Sequence, residues 1–193
     1  MITRTAIELD IPGILELQSA NLLTNIPTVE LSGGFVTTPF SVSQLQTLLA
    51  QDGIFVVEEQ GQIAGYVFAG SWDFFAQWPI FPLMIGRFQK LNFQGISITP
   101  HNSFQYGPIC IDRSLRGTGA FQQLFATMCA GFADQYPIGV TFINKLNARS
   151  IAAHQKLPLE VIDEFEFNNN SFYGLAFSTH YKKRDLWDLM LLR

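Results

Sequence analysis

Positive charge is scarce in this chain, with 12 lysines and arginines against 16 aspartates and glutamates, a formal net charge of −4 and a pI of about 5.3. The basic residues form no stripe, which excludes the electrostatic footprint that nucleic acid requires. The mild acidity suits a cationic acceptor. Cysteine is rarer still. Cys110 and Cys129 are too few for a disulfide framework or a cysteine metal cluster, and their apolar neighbours predict two buried free thiols. No metal is expected. A long hydrophobic run is also missing: residues 74–86, the longest, are broken by Gln77, Pro79 and Pro82 and fall short of the roughly 20 residues that cross a bilayer. The first six residues lack the apolar core of a signal peptide. No membrane association is expected, and the cytoplasm is the predicted location. Neither repeats nor low-complexity tracts occur.

Apolar side chains are plentiful. They make up 48% of the chain against 15% charged, with 18 phenylalanines, a balance that predicts a packed fold. The 193 residues suit one domain over 1–193, with an elaboration.

The stretch around which the rest is organised is 106–132. An extended segment ending Ile109-Cys110-Ile111-Asp112 leads into Arg113-Ser114-Leu115-Arg116-Gly117-Thr118-Gly119-Ala120. Phe121, Leu124, Phe125, Met128 and Phe132 then follow at helical spacing, with Gln122, Gln123 and Thr127 on the other side. Glycines let the backbone turn tightly and approach a ligand. The first amides of the helix have no intrahelical acceptor and carry partial positive charge, so phosphate suits them, and Arg116 can add a charge-assisted contact. The turn is not a P-loop, because no Gly-Lys-Ser/Thr follows, and it lacks the third glycine of the dinucleotide fingerprint. A plain glycine-relieved corner is the alternative.

Arg116-Gly117-Thr118-Gly119-Ala120-Phe121 resembles the acyl-coenzyme A signature of the GNAT superfamily of N-acetyltransferases, Arg/Gln-x-x-Gly-x-Gly/Ala, with Phe121 where a small residue is usual. The stretch from Asn147 to Leu157 resembles the family's later helix, with His154 at the position commonly held by Tyr and Pro158-Leu159 in place of Gly-Phe. The resemblance extends in layout over about 2–178. It implies an α/β fold with a mixed, mostly antiparallel sheet flanked by helices and a parallel strand-helix-strand cofactor core. It implies acetyl transfer from acetyl-coenzyme A to a primary amine of a small molecule or peptide, with the amides of Arg116 to Phe121 on the diphosphate. Backbone groups of Ile109, Cys110 and Ile111 and the Asn147 side chain would then meet the pantetheine arm, and His154 would return a proton to sulfur. Independently, Asn147 is a good helix N-cap, and Asn147, Ile151 and His154 share a helical face. An imidazole exchanges protons near neutrality. The base that deprotonates the amine stays open among Tyr106, Glu58 and a water relay. A non-catalytic acyl-coenzyme A-binding module of the same fold, and an apolar-ligand or partner-binding protein, are the alternatives.

From the N-terminus, residues 2–9 predict a strand. Asp10 is a candidate cap for a helix with Ile11, Ile14, Leu15, Gln18 and Leu22 on one face and Pro12 in the first turn. Residues 25–40 read as a long loop. Ser41-x-x-Gln44 is a capping box before Leu45, Leu48 and Leu49, with Gly53 closing that helix. Two strands, 54–59 and 62–70, flank Gln60-Gly61. The aromatic insertion at about 72–102, with Trp72, Phe74, Phe75, Trp78, Phe81, Phe88 and Phe93, fits an acceptor-pocket wall, a lid, a subunit interface or a local minicore. Further strands are expected over 138–143, over 159–167 in alternation, and over 171–178. The tail 180–193 is expected to dock on this subunit or another, which leaves a homodimer open.

Overall fold

The computed structural model describes residues 1–180, and its strands form a seven-stranded, mostly antiparallel sheet with one parallel pair and flanking helices. The backbone divides into two compact units, one made of residues 1–69 and 107–131, the other of 70–106 and the described residues from 132 onward. The expected docking of the tail concerns residues that, His180 apart, lie outside the described ones.

In the first unit, β1 (Ile2–Thr5) leads to α1 (Ile11–Asn21) and α2 (Val42–Leu49), followed by the antiparallel strands β2 (Ile54–Glu59) and β3 (Gln62–Gly70). β1 is shorter than the predicted 2–9 because the chain turns through a short 3-10 segment at Glu8–Asp10. It pairs with β2 from Ile2↔Glu58 to Thr5↔Phe55. Asp10 starts α1 without capping it. Its carboxylate instead accepts two hydrogen bonds from Arg4, at 2.7 and 2.9 Å, and one from the Ile7 amide at 2.8 Å. The buried face of α1 is Ile11, Ile14, Leu17 and Gln18; Leu17 takes the place expected of Leu15. The Gln18 side chain pairs with both backbone groups of Phe40, at 3.0 and 2.9 Å, as a strand neighbour would. The capping box of α2 forms: Ser41 Oγ accepts from the Gln44 amide, and Gln44 Oε1 accepts from the Ser41 amide. The left-handed residue after α2 is Asp52, at φ +53°, rather than Gly53.

The second unit begins with α3 (Trp72–Phe75), α4 (Ile80–Arg87) and a two-stranded ribbon, β4 (Asn92–Phe93) and β5 (Ile96–Ser97). Strand β6 (Ser103–Ile111) follows, and its first residues, Ser103 to Gln105, run parallel to the start of a later strand at Ile138 to Val140. After the end of β6 and α5 (Ala120–Phe132), which apart from Phe132 belong to the first unit, come that strand, β7 (Ile138–Asn144), then α6 (Ala148–His154), β8 (Glu160–Phe167) and β9 (Asn170–Ser178). β9 lies antiparallel between β7 and β8. A bulge between Val161 and Asp163 breaks the expected alternation of β8 and leaves Val161 exposed. The strand order through the sheet is β1-β2-β3-β6-β7-β9-β8.

The aromatic insertion forms a minicore on one face of this unit. Trp72 meets Phe88 edge-on at 4.8 Å, Phe75 lies 4.9 Å from Phe81, and Phe81 reaches Phe142 at 5.6 Å. The Trp72 indole N–H donates to Ser103 Oγ at 3.0 Å, so the polar handle of the largest buried ring is satisfied. On the opposite face Phe104, Tyr106 and Phe177 pack together, with Gly139 beneath the Phe177 ring.

Candidate functional site

In the first unit the predicted turn is present. Asp112 ends the extended segment, and its carboxylate accepts from the Ser114 amide at 2.8 Å and the Ser114 hydroxyl at 2.6 Å. These bonds, the hydroxyl first, hold its pKa below the usual carboxylate range. A short 3-10 turn, Arg113–Leu115, follows. Gly117 and Gly119 then adopt φ of +82° and +90°, which an L side chain resists. The first intrahelical bond of α5 runs from the Gln123 amide to the Gly119 carbonyl at 3.0 Å, and in the turn ahead of it the Arg116 amide donates to the Arg113 carbonyl and the Thr118 amide to the Leu115 carbonyl, each at 3.3 Å. A β-carbon at Gly117 would meet nothing within 4 Å, and at Gly119 only the end of the Gln123 side chain at 3.9 Å. The backbone of the turn is therefore open to approach.

Two arginines flank it. Arg116 donates through Nη1 to the Gly33 carbonyl at 2.9 Å, and Arg113 pairs with Glu30 at 2.5 Å. Both partners lie in the loop that precedes α2, which the sequence pattern alone did not join to the turn. Leu124, Phe125 and Met128 are fully buried beneath the helix, Ala120 is buried, and Thr118 is exposed with its hydroxyl on the Leu115 carbonyl. Phe121 is only half-buried, so it belongs to the edge of the apolar stripe. Of the extended residues, Ile109 and Ile111 are half-buried and Cys110 is buried, where loss of solvent pushes its thiol up to about 12. Cys129 is raised for the same reason. Neither thiol is a nucleophile at neutral pH.

In the second unit, Asn147 caps α6 by accepting the Ser150 amide at 3.0 Å, as predicted, and is itself buried. His154 ends the same helix, 4% exposed. Its Nδ1 lies 2.7 Å from the Ser150 carbonyl and its Nε2 3.0 Å from the Tyr106 hydroxyl. Burial lowers its pKa to about 4, against a smaller upward effect of the Ser150 carbonyl. Tyr106 was one of several open candidates in the sequence, and the fold makes it the neighbour of His154. The signal was its two-residue spacing from Phe104 on β6, which sets both rings on one face. Among the described residues no group of three or more His, Cys, Asp and Glu side chains can hold a metal, and no helix is long and apolar enough to cross a membrane.

The architecture and the signature turn together define a class: the chain has the fold of the GNAT N-acetyltransferases. Among the solved structures it resembles are an N-acetyltransferase from Staphylococcus aureus Mu50, with 20% identity, 92% of this chain and 98% of that one covered and a TM-score of 0.60. The ribosomal-protein-alanine N-acetyltransferase of Brucella melitensis shows 17% identity, coverage of 92% and 99% and a TM-score of 0.60. The yncA protein of Salmonella typhimurium, solved with its cofactor acetyl-CoA, shows 15% identity, coverage of 94% and 95% and a TM-score of 0.61. No protein-family model matches the chain, and no curated protein matches it in sequence.

Proposed function

We propose that this protein is an N-acetyltransferase that moves an acetyl group from acetyl-coenzyme A to a primary amine of a small molecule or peptide. The observation that carries the proposal is the turn Arg116 to Phe121: two glycines at positive φ, open space in front of the backbone and an arginine beside it, at the start of a helix. These residues fit a diphosphate, which helix-start amides and a guanidinium bind through charge-assisted hydrogen bonds. A fold shared with an N-acetyltransferase and with a protein solved with acetyl-CoA points the same way.

In this reading the turn of Arg116, Gly117, Thr118, Gly119, Ala120 and Phe121 holds the diphosphate, with the Arg116 and Thr118 amides engaged inside the turn on the Arg113 and Leu115 carbonyls. Ile109, Cys110 and Ile111, through backbone groups, and Asn147 hold the pantetheine arm. His154 serves the proton transfer that accompanies departure of the thiol. When bound, the thioester supplies the activated acetyl group; the protein orients it and handles protons. The two free thiols accord with a reducing compartment such as the cytoplasm.

One observation favours a non-catalytic acyl-coenzyme A-binding module as a second reading: His154 is buried and neutral at physiological pH. A thermal-shift titration with acetyl-coenzyme A, followed by thiol release with a panel of primary amines, decides between them. Stabilisation with thiol release supports the enzyme, stabilisation without release from any amine supports the module, and no stabilisation overturns both.

A further inference from the structure

Glu30 is the one charged side chain between Glu16 and Asp52, and the fold sets it on Arg113, whose Nη2 donates to Glu30 Oε2 at 2.5 Å. Arg113 opens the short 3-10 turn that leads through Arg116 to Gly117 and Gly119. The single carboxylate of a long neutral stretch thus lies beside the turn read above as a phosphate site. A guanidinium pairs with a carboxylate and with a phosphate through the same donors. Glu30 therefore competes with a phosphate for Arg113, and its charge opposes one bound there.

The segment that carries Glu30 has a firm base and a tip held by side chains. At the base Leu22 and Val36 form a parallel bridge, the Leu23 amide donates to the Val36 carbonyl at 2.9 Å, and the Val36 amide donates to the Asn21 carbonyl at 2.8 Å. The tip, Thr28–Gly33, is a 3-10 segment with no buried residue; Val29 is 88% exposed, and Gly34 after it takes φ +88°. From the turn, Arg113 holds this tip at Glu30 and Arg116 holds it at the Gly33 carbonyl. Arg113 and Glu30 are 59% and 43% exposed, and an ion pair so open to water is weak and exchanges partners at little cost. All of these residues belong to the first unit.

We propose that Glu30 is an internal stand-in for phosphate that gates the cofactor turn: it occupies Arg113 until a phosphate of acetyl-coenzyme A displaces it, and its displacement loosens the tip 28–33 while Arg116 keeps its hold on Gly33. This gate presupposes the acetyl-coenzyme A reading above and regulates that same site. Apparent affinity falls with the fraction of molecules in which the binding group is available, so the Glu30 pair lowers affinity for the cofactor and couples its binding to release of the loop.

Titration calorimetry and hydrogen exchange on the full chain, with acetyl-coenzyme A as the ligand, test the gate. Glu30→Gln keeps the side chain's length and removes its charge; it is expected to tighten binding about three- to fivefold, the scale of one exposed ion pair. Arg113→Gln is expected to weaken binding about tenfold, the scale of a charge-assisted hydrogen bond. In the double variant Glu30→Gln is expected to gain less than it gains alone, because the two side chains act through one another. Acetyl-coenzyme A is expected to speed exchange of the amides of residues 28–33 in wild type, and Glu30→Gln is expected to show the faster rates before ligand is added. A Glu30→Gln variant that binds no more tightly than wild type, or a cofactor that slows exchange over 28–33, overturns the gate and leaves the cofactor site standing. Absence of binding in wild type and in both single variants overturns the cofactor reading and the gate together.

Discussion

Arg116 reaches from the glycine turn to the main-chain carbonyl of Gly33, 83 residues earlier, at 2.9 Å. The same guanidinium thus borders the proposed diphosphate turn and ties down the loop before α2. Arg116→Ala is expected to weaken acetyl-coenzyme A binding about tenfold, the scale of one charge-assisted hydrogen bond. It is also expected to speed amide exchange over residues 28–34. Isothermal titration and hydrogen exchange read the two effects, and unchanged affinity argues against a phosphate at this turn.

Gly117 has open space where a β-carbon would stand, so the obstacle to a side chain there is its φ of +82°. Gly117→Ala is expected to cost about 1–2 kcal/mol of stability through backbone strain, measured by urea denaturation. Gly119→Trp, at φ +90°, is expected to abolish acetyl-coenzyme A binding by placing bulk in front of the turn. Retained binding in that variant would count directly against the cofactor site.

Gly139 presents the opposite case. A β-carbon there would lie 2.6 Å from Cε1 of Phe177 and closer still to the neighbouring ring carbons. Gly139→Ala is expected to destabilise the chain by about 3 kcal/mol, the upper end of overpacking, and Phe177→Leu in the same chain is expected to recover part of it. Equal stability of Gly139→Ala and wild type in denaturant would mean that the sheet does not pack this way.

His154 makes stability depend on pH. Its pKa falls from 6.5 when unfolded to about 4 when folded, so between these values the unfolded chain binds more protons and stability drops as pH falls. The loss reaches about 3 kcal/mol by pH 4. Asp10, whose pKa Arg4 depresses, contributes stability that fades only at lower pH, so the two effects separate. Denaturation of wild type and H154F from pH 7 to 4 should show this component in wild type alone.

The Trp72 indole donates to Ser103 Oγ inside the aromatic minicore. Trp72→Phe leaves Ser103 Oγ without that donor and removes ring volume, at an expected cost of about 2 kcal/mol. Ser103→Ala, which leaves the indole N–H unpartnered, is expected to cost about 1–3 kcal/mol. Thermal denaturation of both checks this, and if neither variant shifts the midpoint the minicore does not depend on the bond.

Much of the fold was legible because local chemistry and the final structure agree. Ser41 and Gln44 cap α2 as their spacing predicts, Asn147 caps α6, and the strands on either side of Gln60-Gly61 end where the turn requires. Where long-range partners compete, local rules failed. Asp10 has the chemistry of a cap, yet Arg4 claims its carboxylate. In β8 a bulge that depends on pairing with β9 shifts the alternation and exposes Val161. The insertion's aromatic density fitted a pocket wall, a lid, an interface or a minicore, and the packing of its rings against Phe142 became visible only in the fold.

By itself the order of residues determined the helix periods, the caps of α2 and α6, the hairpin and the two glycines beside Arg116, because each depends on neighbours within a few positions. The tertiary structure alone decided that Arg116 meets Gly33 and that His154 Nε2 meets the Tyr106 hydroxyl. Bonds of that kind join groups dozens of residues apart, and their strength and direction follow from burial and angle, which exist only once the chain has closed on itself.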